Sequence, residues 1–537
     1  MEPILLYDTT LRDGTQGENI SFTAKEKIKI AQKLDDMGIH YIEGGWPGSN
    51  PRDMQFFDMA KKIQFKNARL TAFGSTRKPG VNPEDDKNLQ ALLESSTPAV
   101  AIVGKTWDLH VEKVMANTLE ENLAMIRESV SYLKKNGREV FFDAEHFFDG
   151  YKCNKDYTLQ ALIAAREGGA DVLVLCDTNG GTLPFDLESI ISEVNDLFNE
   201  RYKKGTDKAP AGIGIHTHND SGLAVANSIA AIRAGSTIVQ GTINGYGERC
   251  GNADLTTIIP ILCLKMGCRC LTAENLKKLK SVSRFVSETA NMTPLNSRPF
   301  VGESAFAHKG GMHVSAIMKL PMAYEHTVPE LMGNKRRVLM SDLSGKSNVE
   351  YKAKELGVEL DGDGSASREI VSEIKNLEQE GYQFEVADGS LKILMEKFTE
   401  QFKPMFNLKS FMVTIIKEKN RPCSSQASIK ISVDGLEKIT VAEGKGPVSA
   451  LDNALRKALN KFYPGLLEST HLVDFKVRVI DGREGTNAKV RVIIESRDED
   501  YIWSTIGVSE DIIEATWHAL ADSFQYKLSK KEQDHER

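Results

Sequence analysis

Two histidines two residues apart, His216 and His218 in the run GIGIHTHND, are the side chains best placed to share a metal ion. On a β-strand, positions i and i+2 leave the same side, so both imidazoles can reach one cation. A satisfied polar pair is the plainer alternative; Asn219 and Asp220, next in the run, favour ligation. Asp13 in DTTLRDGTQ and Asn252 in GERCGNAD can complete the shell if the first, seventh and eighth strands are neighbours in a closed barrel. Two imidazoles among oxygen donors suit Mn2+, Mg2+, Co2+ or Zn2+, and ligand softness does not choose among them. An ion with open positions can take the keto and carboxylate oxygens of a chelating 2-oxo acid and polarise its carbonyl.

Such a shell needs rigid elements. Eight short apolar runs rich in β-branched residues recur along the first half: ILLYDTT, YIEGG, RLTAFG, AVAIVGK, EVFFDAE, VLVLCDT, GIGIHTH and TIVQGTING, beginning at Ile4, Tyr41, Arg69, Ala99, Glu139, Val172, Gly212 and Thr237. Helix-patterned segments separate them, as in TAKEKIKIAQKLDDMG, where Thr23 is a cap, Glu26 stands three residues on and Gly38 is the stop. Eight strand-helix units ending near residue 275 predict a TIM (β/α)8 barrel, with a doubly wound sheet as the runner-up. Asp8, Lys105, Glu145, Asp177, His216, His218 and Asn244 all fall at or near the predicted C-terminal strand ends, where TIM barrels carry their active sites.

The 537 residues are too many for one core. The 75 acidic and 68 basic residues are interleaved, which leaves no electrostatic footprint for nucleic acid or an anionic membrane. No apolar run approaches the roughly 20 residues needed to cross a bilayer. The start MEPILLYDTTLRDG lacks the features of a signal peptide, so a cytoplasmic chain is expected. Cys263, Cys268 and Cys270 lack paired zinc-site spacing and read, with the other four cysteines, as buried reduced thiols.

DTTLRDGTQ, HTHND and GERCGNADL resemble signatures of the metallolyase-type TIM barrels, the family of isopropylmalate, homocitrate and citramalate synthases and hydroxymethylglutaryl-CoA lyase. That resemblance implies Asp13, His216 and His218 as metal ligands with Asn252 at or beside them. It places Arg12 and Gln16 at a 2-oxo acid, and Glu145 and Thr178 at that acid or in a water network, with Arg12 and Glu145 in catalytic roles, although a structural salt bridge is the alternative for Arg12. Glu43 resembles a supporting acid, or is purely structural. Acetyl-CoA is the implied co-substrate. Its methyl group is a very weak carbon acid, so a positioned base is required. The segment SAFAHKGGMHVSAIMKLPMAYEHTVPELMGN, with His308, His313 and Tyr324, resembles the stretch after the barrel in isopropylmalate synthases; His313 and Tyr324 are the implied acid/base groups.

The predicted organisation is a barrel over 1–275, mostly helical linker subdomains over 276–405, and an α+β regulatory and dimerisation domain over 406–537. The last contains an internal echo, because AEGKGPVSALDNALRKAL and TIGVSEDIIEATWHALADSF each run from a glycine turn into an amphipathic helix. By resemblance this region binds an end-product amino acid at a dimer interface, with Gly444, Gly446 and Pro447 in the first turn and isoleucine as the expected effector. A plain dimerisation domain is the alternative. YIEGGWPGSNPRDMQFF and the Val314, Ser315, Ala316 run resemble the citramalate branch, implying pyruvate as the acceptor. An isopropylmalate synthase using 2-oxoisovalerate and a catalytically silent amino-acid-binding protein stay open.

Overall fold

The computed structural model describes residues 3–202, 212–360, 364–400, 402–480 and 488–536. Eight parallel strands close into a barrel in chain order: β1 Leu5–Asp8, β2 Tyr41–Gly45, β3 Arg69–Ser75, β4 Ala99–Lys105, β5 Glu139–Glu145, β6 Val172–Asp177, β7 Gly212–Thr217 and β8 Ile238–Gly241. Pairing of β1 with β8, Asp8 opposite Gly241, closes the ring. Helices cover the outside. The helix Ala24–Met37 shows why the local sequence was readable: Thr23 and Glu26 form a reciprocal capping box, and Gly38 ends it at φ 91°.

The chain divides into two compact units, Met1–Phe306 with Thr327–Lys335, and Ala307–His326 with Arg336–Arg537. The unit holding the barrel therefore runs past residue 275, and the segment predicted as linker is shared between the units. The physical reason is local bonding. Asn244 donates to the carbonyl of Ser283 and to Ser287 Oγ, which ties the helix Leu279–Thr289 to the barrel. Asn334 donates to the carbonyls of Phe300 and Gly302, which holds the 327–335 segment.

In the second unit, short strands β9 Ala307–His308 and β10 Arg337–Val338 pair in parallel, followed by helices Lys346–Leu356, Ser365–Glu380 and Asp388–Lys397. Two antiparallel three-stranded sheets come next. The first is β11 Asn407–Ile416, β12 Ser424–Val433 and β13 Leu436–Gly444; the second is β14 His471–Val479, β15 Val490–Arg497 and β16 Ile502–Ser509. Each is followed by a helix, Pro447–Leu459 and Ile512–Glu536, that packs on its own sheet. The echo in the sequence is thus a structural repeat. Thr440 Oγ1 donates to the carbonyl of Ala454, and Thr505 Oγ1 to that of Ala519, at 2.7 Å in both halves. Asp481 and Gly482, which end the predicted FKVRVIDG strand, lie outside the described residues.

Candidate metal centre and active site

Side chains alternate along each barrel strand between the interior and the helical layer. This parity sorts the polar residues at the strand ends. Tyr7, Phe141, Val174 and Cys176 fill the interior, so Asp143 and Glu145 on β5 share the inward face while Asp8 and Asp177 turn outward. The outward pair hold loops: Asp8 accepts from the backbone N and hydroxyl of Thr10, and Asp177 from those of Thr182. Asn244, as described, anchors a helix. Of the seven expected at the chemical end, only Lys105, Glu145, His216 and His218 line the cavity there, which measures about 480 Å3.

Asp13, in the short turn after β1, meets His216 and His218 with ligand atoms within 4.8 Å of one another, all three buried. Asp13 Oδ2 lies 3.2 Å from His216 Nε2, which lies 3.3 Å from His218 Nε2. Asn252 pairs with His218 through an isolated backbone bridge, and its side-chain Oδ1 is buried without a hydrogen-bond partner. A carboxylate, two converging imidazole nitrogens and an orphaned amide oxygen fit a divalent cation. Burial alone would raise the Asp13 carboxyl, but the charge of Arg12 and the hydrogen bond from His216 outweigh it and hold it far below the ordinary range. Burial, then the neighbouring His216, lowers His218 to about 3, so it stands neutral, the form that ligates metals.

Behind His216 stands a relay that sequence reading missed. His216 Nδ1 is 2.9 Å from Gln240 Oε1, and Gln240 Nε2 donates to Asp143 Oδ1 at 3.3 Å. An amide oxygen only accepts, so Nδ1 carries a proton; burial lowers His216 but the Asp13 carboxylate at Nε2 outweighs it and raises it, and an ion would take the Nε2 lone pair in place of that second proton. Burial, with Glu43 next, pushes Asp143 up to about 7. The available signal was parity: Asp143 lies two residues before Glu145 on one strand.

Arg12 is clamped. Its Nε donates to Glu43 Oε1 at 2.5 Å, Glu43 Oε2 accepts from the Tyr7 hydroxyl at 2.7 Å, and the guanidinium sits 3.7 Å from the centroid of Phe73. Glu43 is fully buried and does not line the cavity, so it acts on it only through Arg12 and Tyr7. Glu145 pairs with Lys105, and Gln16 and Thr178 line the same cavity; the Thr178 hydroxyl accepts from His146 N at 2.9 Å. Trp46, Arg77, Lys78 and Arg249 also line it and were not foreseen.

His313 and Tyr324 belong to the second unit, where their rings stack with centroids 4.2 Å apart. His308 is held differently, 3.1 Å from Glu325, which also pairs with Arg336. Gly444 ends β13, Gly446 caps the helix Pro447–Leu459, and Pro447 opens it. A Cβ on Gly444 would lie 2.3 Å from Ala450 N, so this glycine permits a close strand–helix approach.

A family profile described as HMGL-like matches residues 3–286, one described as homocitrate synthase post-HMGL domain-like matches 300–382, and one described as LeuA allosteric (dimerisation) domain matches 385–528. The chain is 52% identical to the (R)-citramalate synthase of Aquifex aeolicus over 99% of both chains. It is 52% identical to that of Geobacter sulfurreducens, again over 99% of both. Identity falls to 31% with the 2-isopropylmalate synthase of Methanocaldococcus jannaschii, over 98% of this chain and 95% of that one. The agreement extends through barrel, middle segment and tail alike, so the chain belongs to the (R)-citramalate synthase family.

Proposed function

We propose that this chain, an acyltransferase by its family, joins the methyl carbon of acetyl-CoA to the keto carbon of pyruvate and hydrolyses the thioester to (R)-citramalate and CoA. The observation that carries the reading is the buried cluster of Asp13, His216 and His218 with the clamped Arg12 beside it. Asp13, His216 and His218, with Asn252 beside them, would hold a divalent ion, Mn2+, Mg2+, Co2+ or Zn2+. When bound, that ion supplies Lewis acidity toward the keto oxygen.

The chain's own groups do the rest. Arg12, its Nε occupied by Glu43, presents its charge where negative charge develops on the keto oxygen. Gln16, Glu145 and Thr178 line the place where the oxo acid would sit. His313 and Tyr324 are the proposed acid/base pair: one removes a methyl proton, the enolate carbon attacks the keto carbon, and the oxyanion takes a proton back. Water then releases CoA as its thiol. In the tail, isoleucine is the proposed effector at the turn of Gly444, Gly446 and Pro447, in a homodimer.

A thiol-release assay with pyruvate, 2-oxobutyrate, 2-oxoisovalerate and 2-oxoglutarate tests the acceptor. Pyruvate is expected to be fastest; if it is the slowest of the four, the reading is wrong. Titration calorimetry with isoleucine and leucine tests the sensor, which is withdrawn if neither gives heat or inhibition.

A further inference from the structure

The cavity wall beside Arg12 is aromatic. Phe73 lies under the guanidinium, and Trp46 packs edge-on against Phe73, centroids 5.3 Å apart and planes at 82°. Both rings line the cavity. The indole is fixed at both ends. Its Nε1 donates to Asn88 Oδ1 at 2.7 Å, Asn88 Nδ2 donates to the carbonyl of Ser75 at 2.7 Å, and the Trp46 backbone N donates to Asp53 Oδ2 at 2.8 Å. Asp53 is in turn paired with the buried Lys27 at 2.5 Å.

The preceding glycines leave the wall no room to retreat. A Cβ on Gly44 would lie 2.1 Å from the Phe56 ring, and Gly45 sits at φ 150° with Asp53 2.4 Å from the same hypothetical atom. The strand end is therefore pressed onto the helix Pro51–Ala60, and the next residue is delivered into the cavity in one orientation. A side chain so restrained cannot swing aside for a larger ligand, whereas a methionine such as Met115 or Met125, also on the lining, can.

We propose that Trp46, braced by Phe73 and Asn88, is the specificity-determining wall that limits the alkyl group of the 2-oxo acid. The inference rests on the condensation proposed above: the group held at Arg12 is the keto acid, so its substituent meets the aromatic pair. Each methylene that an apolar pocket admits or refuses changes kcat/KM by roughly 10- to 200-fold. Trp46→Leu and the milder Trp46→Phe are to be assayed by thiol release with pyruvate, 2-oxobutyrate and 2-oxoisovalerate. The expected result is a rise of at least roughly tenfold in the 2-oxoisovalerate-to-pyruvate ratio of kcat/KM for Trp46→Leu. A smaller shift in the same direction is expected for Trp46→Phe, which decides alone should the leucine variant not fold. Ratios within twofold of wild type overturn the wall. Should wild type fail to turn over pyruvate, the condensation reading falls. The wall is then judged by calorimetric affinities of the Mn2+-loaded proteins for the same acids: a shift in relative affinity toward 2-oxoisovalerate supports it, and an unchanged ranking overturns it.

Discussion

Replacing Gln240 by methionine isolates the part of the candidate metal centre that no ligand count includes. Gln240 is fully buried on β8 and is the acceptor for His216 Nδ1–H at 2.9 Å. Methionine has nearly the same length and no strong acceptor. The variant leaves a buried N–H unpaired, at a cost of about 1–3 kcal/mol, and lets the imidazole tautomer that lends Nε2 to a metal lose its advantage. Outer partners of ligating histidines are worth roughly 10- to 100-fold in metal affinity, in line with that cost. Competition of Mn2+ or Co2+ between the protein and a chromophoric chelator reads the effect directly, without turnover. Gln240→Glu is the control, since it keeps an acceptor for Nδ1–H and can accept a proton shared with Asp143, whose pKa of about 7 leaves it partly protonated at neutral pH. Methionine is expected to weaken binding by roughly 10- to 100-fold and glutamate by less than about threefold. Unchanged affinity in the methionine variant, or equal loss in both, would refute the tautomer argument.

Glu43→Gln keeps two hydrogen-bonding atoms but removes one of the counter-charges of Arg12, leaving Asp13; kcat/KM for pyruvate is expected to fall roughly 10- to 100-fold with metal affinity retained, the cost of a charge-assisted bond. Wild-type kinetics would show that the clamp is ornamental. His216→Ala should lose metal and turnover together, whereas His313→Ala should bind metal normally and not turn over; a fast His313→Ala variant would withdraw the proton role. Asp8 is raised to about 7 by burial, against hydrogen bonds from Thr10. Its folded pKa exceeds its unfolded one, so the stability it confers is full below about pH 4 and is lost as pH rises through 7. Neutral Asp8→Asn should therefore gain on wild type from pH 5 to pH 8, by on the order of 2 kcal/mol, seen as a growing difference in Tm. A difference independent of pH would exclude that assignment.

Much of this site was legible before any fold was known, for a local reason. The i, i+2 spacing of His216 and His218 needs only strand geometry to place two imidazoles together, and the eight strand segments announced themselves through β-branched runs between capped helices. Asp8 and Asp177 misled because the end of a short strand is readable while its inward or outward phase is not, and both turned out to hold loops. Gln240 carried no signal, and Trp46 one only as a member of the YIEGGWPGSNPRDMQFF run, since a lone amide and a lone indole have no spacing to interpret.

By itself, then, the order of residues determined the strand count, the converging histidine pair and the repeated tail, because each depends on contacts within a few positions of the chain. Closure of the barrel decided what those parts do. It brought Asp13, in the turn after β1, beside His216 on β7, set Gln240 behind that histidine, and put Phe73 in contact with both Arg12 and Trp46. Residues so far apart in the chain meet only when the strand stagger around the ring fixes which side chains share a level, and that stagger is a property of the whole sheet.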